Sequence, residues 1–182
     1  MSGTDALERL VTLIVAANEP IVVDACAGLP QPIARVALFD GGFSEWLDPG
    51  SIWICSEQRR AELRMEGGWE EEWAFWDYDV ELSAALSKTG GWRELVPAVS
   101  EALDPEFSPT RRVVREVVRR LNDPARLRGI HRTDDFVVFR AERFPELLED
   151  LNVSTPPTTL ELLRERRQVP VWMDSVGNEG WR

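Results

Sequence analysis

Leu7, Leu10, Val11 and Ile14 recur at helical spacing near the start of the chain. They predict an amphipathic helix over residues 4–18, with Thr4 as N-cap and Pro20 as its stop. Ile21 to Ala27 is a short apolar, β-branched run and reads as a strand. Gly28-Leu29-Pro30-Gln31-Pro32 reads as a turn, Ile33 to Phe39 as a second strand ended by Asp40-Gly41-Gly42, and Ser51 to Cys55 as a third. The connections are too short for helical crossovers, so the three runs predict an antiparallel sheet built on 21–27, 33–40 and 51–56.

Past the sheet, Glu57 to Glu66 is rich in helix formers and is closed by Gly67-Gly68. The next stretch, Trp69-Glu70-Glu71-Glu72-Trp73-Ala74-Phe75-Trp76-Asp77-Tyr78-Asp79-Val80-Glu81-Leu82, fits two periods. As a helix it stacks Trp69, Trp73, Trp76 and Val80 on one stripe. As a strand it alternates Ala74, Trp76, Tyr78, Val80 and Leu82 with acidic residues. A helix at its start is favoured, with a strand after Phe75 as the alternative. Helices are expected at 92–103 and 109–121, the second with Ser108 as N-cap and Pro109 in its first turn. A late strand is expected at 135–140 and a short helix at 144–151. After the Pro156-Pro157 break, Thr158-x-x-Glu161 reads as a capping box opening the last helix, and 169–173 reads as an edge strand. The chain shows no repeat, linker or low-complexity tract. The fold class expected is α+β: one globular domain over 1–182, with a mainly antiparallel sheet, an N-terminal helix and several C-terminal helices.

Composition places this pattern in a folded class. The 182 residues are 43% hydrophobic and 29% charged, enough to bury a core and far from a disordered balance. No apolar run reaches the ~20 residues that span a bilayer. Asp5 and Glu8 stand where a secretory signal carries its basic region. Cys26 and Cys55 lie in apolar runs outside any Cys-x-x-Cys pattern, so they are expected to be buried thiols of a cytoplasmic protein. Lys88 is the sole lysine against twenty arginines, which reads as the codon bias of a high-GC bacterial genome.

Charge singles out two segments. The net charge is −11, and residues 40–81 hold twelve acids and three arginines, a net of −9. Six of the eight tryptophans, Trp46 to Trp92, fall in and around that stretch. Indoles fringed by carboxylates have two readings. One is a solvated face beside core tryptophans. The other is a binding surface whose indoles anchor a basic protein partner that the carboxylates steer. The residues this second reading selects are Trp69, Glu70, Glu71, Glu72, Trp73, Trp76, Asp77 and Asp79. Residues 111–143 hold ten arginines and five acids, a net of +5. On the predicted helix at 109–121, Val113, Val114, Val117, Val118 and Leu121 face one way and Arg111, Arg112, Arg115, Arg119 and Arg120 the other. Those arginines either pair with the chain's own acids or offer an anion or RNA contact. No stacking aromatics interleave with them, and the acidic whole argues against general nucleic-acid binding.

Catalytic signals are weak. The single histidine, His131, lies in a polar loop, so no Ser-His-Asp or Cys-His set is marked and no catalytic residue is assigned. Asp77-x-Asp79-x-Glu81 would converge on a divalent cation only if it lay on a strand, and it lacks a glycine-bearing calcium loop. One histidine and two separated cysteines do not make a zinc site, and there is no glycine-rich phosphate loop. No metal or cofactor is expected.

The stretches Ile33 to Asp40, Ser51 to Gln58 and Trp69 to Trp76 resemble a small acidic bacterial α+β family of unknown function. In that family a strand ending in an acidic turn precedes a second strand, a Thr-Glu-Glu-like helix start and a Trp-containing segment; here Ser56-Glu57-Gln58 replaces the Thr-Glu-Glu. The resemblance covers a quarter to a third of the chain. It implies a place beside polymorphic-toxin genes as an immunity protein, and it transfers no functional residue. Two classes stand: a cytosolic immunity-type inhibitor that neutralises a basic toxin through the acidic Trp-rich surface, and an enzyme or nucleotide- or RNA-handling domain. No part in a membrane is expected in either.

Overall fold

In a computed structural model, which describes residues 2–39, 51–68, 70–83, 90–102, 109–141 and 146–169, the first helix, α1, runs unbroken from Gly3 to Ala27. Ala6, Leu10, Ile14, Asn18, Val22 and Cys26 are all buried and repeat every fourth residue, so one stripe continues straight through Pro20. The run at 21–27 is therefore helical, not a strand. An interior proline costs about 3 kcal/mol, but stopping at residue 19 would strip Val22 and Cys26 from the core. Burying a valine alone contributes roughly 1.5–3 kcal/mol. The cap also differs from expectation. Ser2 Oγ accepts from the Asp5 N–H at 3.2 Å while the Ser2 N–H donates to Asp5 Oδ2, forming a capping box two residues ahead of Thr4. By length and composition α1 is also long and apolar enough to cross a membrane, which a strand at 21–27 would not allow. Here its apolar stripe lies against the sheet and neighbouring helices.

The remaining elements are β1 (Ile33–Phe39), β2 (Ser51–Ser56), α2 (Glu57–Gly67), β3 (Val80–Ser83), α3 (Val96–Ala102), α4 (Pro109–Leu121), β4 (Arg132–Arg140), α5 (Glu146–Ser154) and α6 (Pro157–Glu165). Two 3-10 turns, Glu71–Trp73 and Phe75–Asp77, fill the acidic Trp segment. Its start is thus neither a full helix nor a strand, and the strand begins only at Val80. The sheet order is β3-β2-β1-β4. The β1–β2 and β2–β3 pairs are antiparallel and β1–β4 is parallel, so the domain is α+β with a mostly antiparallel mixed sheet.

Strand alternation divides the core in two. Val36, Leu38, Ile52, Ile54, Phe136 and Val138 face α1, α3 and α4. Arg35, Ala37, Cys55, Val137 and Phe139 face the other way, toward α2, α6 and the 3-10 turns. Both cysteines are buried and free. Gly3 lets α1 meet α3 closely, since a Cβ there would lie 1.9 Å from the Ala102 Cβ. The free edge of β4 is closed by a side chain: Asn122 accepts from the Val138 N–H and donates to the Val138 and Ser154 carbonyls, at 2.8, 2.8 and 3.0 Å. At α6, Pro156 is the N-cap and Thr158 already lies inside the helix, so the Thr158–Glu161 box does not form. A proline at the first helical position supplies the start instead. Val169 is buried; residues 170–173 of the expected edge strand, Ser108 and Asp40–Gly42 lie outside the described residues.

Candidate functional site

Two adjacent assemblies stand out on the α2 side of the sheet. The first is the Trp segment. Gly68, at φ 86°, ends α2 with its N–H on the Arg64 carbonyl, a conformation that suits glycine. The 3-10 turns that follow are pinned at four points. Trp73 Nε1 donates to the Gln168 carbonyl at 2.8 Å, and Tyr78 Oη donates to the Glu72 carbonyl at 2.8 Å. Asp79 Oδ2 accepts the Ser56 N–H at 2.6 Å, and Arg59 Nε donates to the Asp77 carbonyl at 2.8 Å. Inside, Trp73 is 3% exposed, edge-on to Phe139 at 5.0 Å, with the Arg35 guanidinium 4.9 Å from its ring centre. Phe75 stacks on Phe39 and meets Trp53 edge-on, with centroids 5.5 and 5.8 Å away. Trp76 rests on Phe75 at 4.9 Å and is 58% exposed.

The eight residues selected from the sequence therefore divide. Glu70, Trp76, Asp77 and Asp79 are at the surface, joined by Glu81. Glu71 is half-buried, Glu72 and Trp73 belong to the interior, and Trp69 lies outside the described residues. Asp77 sits in a 3-10 turn, Asp79 is held by Ser56, and Glu81 accepts from Ser51 Oγ at 3.0 Å, so the three do not share one strand face. Among the described residues no three His, Cys, Asp or Glu side chains come together as a metal site.

The second assembly is a buried charge cluster that sequence reading missed. Arg35 on β1 is fully enclosed; its Nη1 donates to the Ala34 and Asp135 carbonyls and its Nη2 to Gln168 Oε1 at 2.8 Å. Asp135 on β4, also enclosed, takes Arg60 Nη1 of α2 at 2.6 Å and Arg166 Nη1 at 3.1 Å. Burial works against the Asp135 charge, but Arg35 and Arg60 outweigh it and hold the carboxyl well below the usual range. Glu72 has the opposite balance. It is 0% exposed, Arg64 Nε lies 3.2 Å away without hydrogen-bond alignment, and neither carboxylate oxygen has a hydrogen-bond partner. Burial raises its pKa despite the Arg35, Arg64 and Arg60 charges. Arg35 interrupts the apolar run of β1, and that interruption was the one signal available beforehand; Asp135 stands ahead of the apolar run of β4, next to Asp134, where nothing marks it.

The basic helix resolves toward self-pairing. Arg115 and Arg111 of α4 and Arg140 of β4 converge on the buried Asp150 of α5. Arg119 clasps Glu116 with two N–H groups, and Arg120 reaches Glu8, Thr12 and Glu116. Arg112 is exposed, as is His131, whose carbonyl accepts the Ile33 N–H.

No protein-family model matches the chain, and no curated protein or solved structure matches it.

Proposed function

We propose that the chain is a cytosolic protein-binding domain that neutralises a basic protein, in the manner of an immunity-type inhibitor, through the surface around Trp76. The exposure of Trp76 carries this reading. A tryptophan left 58% exposed on a buried aromatic stack, among Glu70, Asp77, Asp79 and Glu81, has the form of an interface anchor with a charged rim. The four backbone and side-chain pins hold the segment in place before binding, which lowers the ordering cost of association. The charge cluster beneath is enclosed, and this favours a structural part for it over a reacting one.

The test pairs this protein with the basic product of a neighbouring toxin-type gene. Calorimetry and inhibition of the toxin are measured for the natural chain, Trp76→Ala and the double reversal Glu70→Lys/Asp77→Lys. Loss of the indole is expected to cost about 2 kcal/mol, roughly thirtyfold in affinity. The reversals slow association and flatten its salt dependence. Unchanged affinity on losing Trp76 would overturn the reading.

A further inference from the structure

Past the end of α6, residues 166–169 reach β1, β4, α2 and the Trp segment at once. The Gln168 side chain accepts from Arg35 Nη2 of β1 at 2.8 Å, and the Gln168 carbonyl accepts from Trp73 Nε1 at 2.8 Å, across 95 positions of sequence. The Arg166 guanidinium pairs with Asp134 and Asp135 of β4, and the Arg166 carbonyl accepts from Arg64 Nη2 of α2 at 3.1 Å. The same Arg64 guanidinium has its Nε 3.2 Å from the Glu72 carboxylate in the Trp segment. Gln168 and Val169 are both buried. These four residues form a strap that bridges the charge cluster and the underside of the 3-10 turns.

The strap is poised rather than firmly seated. It leaves α6 by a turn in which the Gln168 N–H donates to the Leu163 carbonyl and the Arg167 N–H to the Arg164 carbonyl, at 2.9 and 3.0 Å. Such a turn favours glycine at its left-handed position and an apolar residue next. Here Arg167 holds that position, with φ at 54°, and Gln168 follows. Around the strap, Arg35 Nε, Asp135 Oδ1 and both Glu72 carboxylate oxygens are enclosed with no hydrogen-bond partner in the protein. Buried polar groups are ordinarily paired. Lifting the strap breaks the Gln168 and Arg166 contacts, but it relaxes Arg167 and lets water reach those four atoms, so part of the loss is offset. Units of this kind open below the free energy of global unfolding. We propose that residues 166–169 are a latch for the Trp segment: strap and 3-10 turns open and close as one unit, and the closed form presents Trp76 on a fixed aromatic base. The purpose of the latch rests on the binding surface proposed above, but its opening is measured without a partner, so either can fail alone.

Native-state hydrogen exchange of the full chain reads the opening directly. The reporters are the hydrogen-bonded amides of Trp73, Ala74 and Tyr78 in the turns and of Arg167 and Gln168 in the strap, with Val36 and Leu38 of β1 as reference. Turn and strap amides should show matching protection, at least about tenfold below that of the reference. Arg166→Gln removes the pairs with Asp134 and Asp135 while its side chain bonds nothing in the Trp segment, and should lower protection in turns and strap together by roughly threefold or more. Arg167→Gly, at an exposed side chain, relieves the left-handed residue and should raise protection in both by a similar factor. Val36 and Leu38 should keep their rates in both variants. Turns and strap responding separately, no response at Trp73 and Tyr78, or an equal change at Val36 and Leu38 would overturn the proposal.

Discussion

Replacing Asp135 by asparagine removes the one negative charge that Arg60, Arg166 and Arg35 surround. The asparagine keeps the shape and one acceptor, but its amide N–H₂ then faces a guanidinium N–H, donor against donor. Arg35 is wholly enclosed and cannot turn to water, so it is left without its counter-charge. Breaking a buried pair from one side costs about 3–5 kcal/mol. In a domain whose total stability is about 5–15 kcal/mol, that is about a fifth or more. Converted at ~2–4 °C per kcal/mol for a chain of this length, the melting temperature should fall by roughly 6–20 °C. Circular dichroism melts and urea unfolding at neutral pH measure it. The pH dependence gives a second check. The folded-state pKa of Asp135 is depressed, so its contribution is present above the unfolded carboxylate pKa and is lost as pH falls toward the folded value. The gap between the natural chain and Asp135→Asn should therefore narrow in acid. A loss under about 1 kcal/mol, or a gap that widens in acid, would refute the view that this cluster is held together by the Asp135 charge.

Glu72→Gln should behave oppositely: burial raises the Glu72 pKa, so the ionised form weakens the fold as pH rises above about 4.5, and the variant should match or exceed the natural chain at neutral pH in the same melts. Trp73→Ala should cost about 3–5 kcal/mol of stability, whereas Trp76→Ala should change it by less than about 1 kcal/mol, as thermal melts of the pair will report. Asn122→Ala, which strips the partners from both backbone groups of Val138, should cost about 2–4 kcal/mol and raise amide exchange at Val138. Cys26 and Cys55 are buried thiols whose pKa values burial pushes up to about 12, so maleimide labelling of the native protein should be slow until it is unfolded.

What could be read in advance follows the range of the interactions involved. β1, β2, α2, α4 and β4 are marked by local period and punctuation, and each forms within a few residues of its expected bounds. The error at 21–27 arose because Pro20 and the β-branched Ile21-Val22-Val23 are local signals for a break and a strand. The stripe from Leu10 to Cys26 is a tertiary preference, and it overrides them once a sheet is present to cover. The Trp segment defeated both periods because its partners lie elsewhere: Trp73 bonds to Gln168 and Asp79 to Ser56, and Glu72 is ion-paired with Arg64. Arg35 and Asp135 meet across a hundred residues through a parallel strand pair, which no local pattern encodes.

The two faces of the Trp segment explain each other. Trp73 and Trp76 are three residues apart, a spacing that would place them on one side of a continuous 3-10 helix. Ala74, with ψ at 77°, breaks the turn between them and sends one indole into the core and the other out. The break is held by the bonds around it, since Tyr78 closes back onto the Glu72 carbonyl while Asp79 and Asp77 are tied to the start of α2. Glu72 is the member that costs stability, a buried carboxylate with no hydrogen bond in the middle of this arrangement. Selection for stability alone would replace it with glutamine or an apolar residue. The proposed binding surface would account for its retention: the stability given up at Glu72 lies in the same short segment that carries the exposed Trp76.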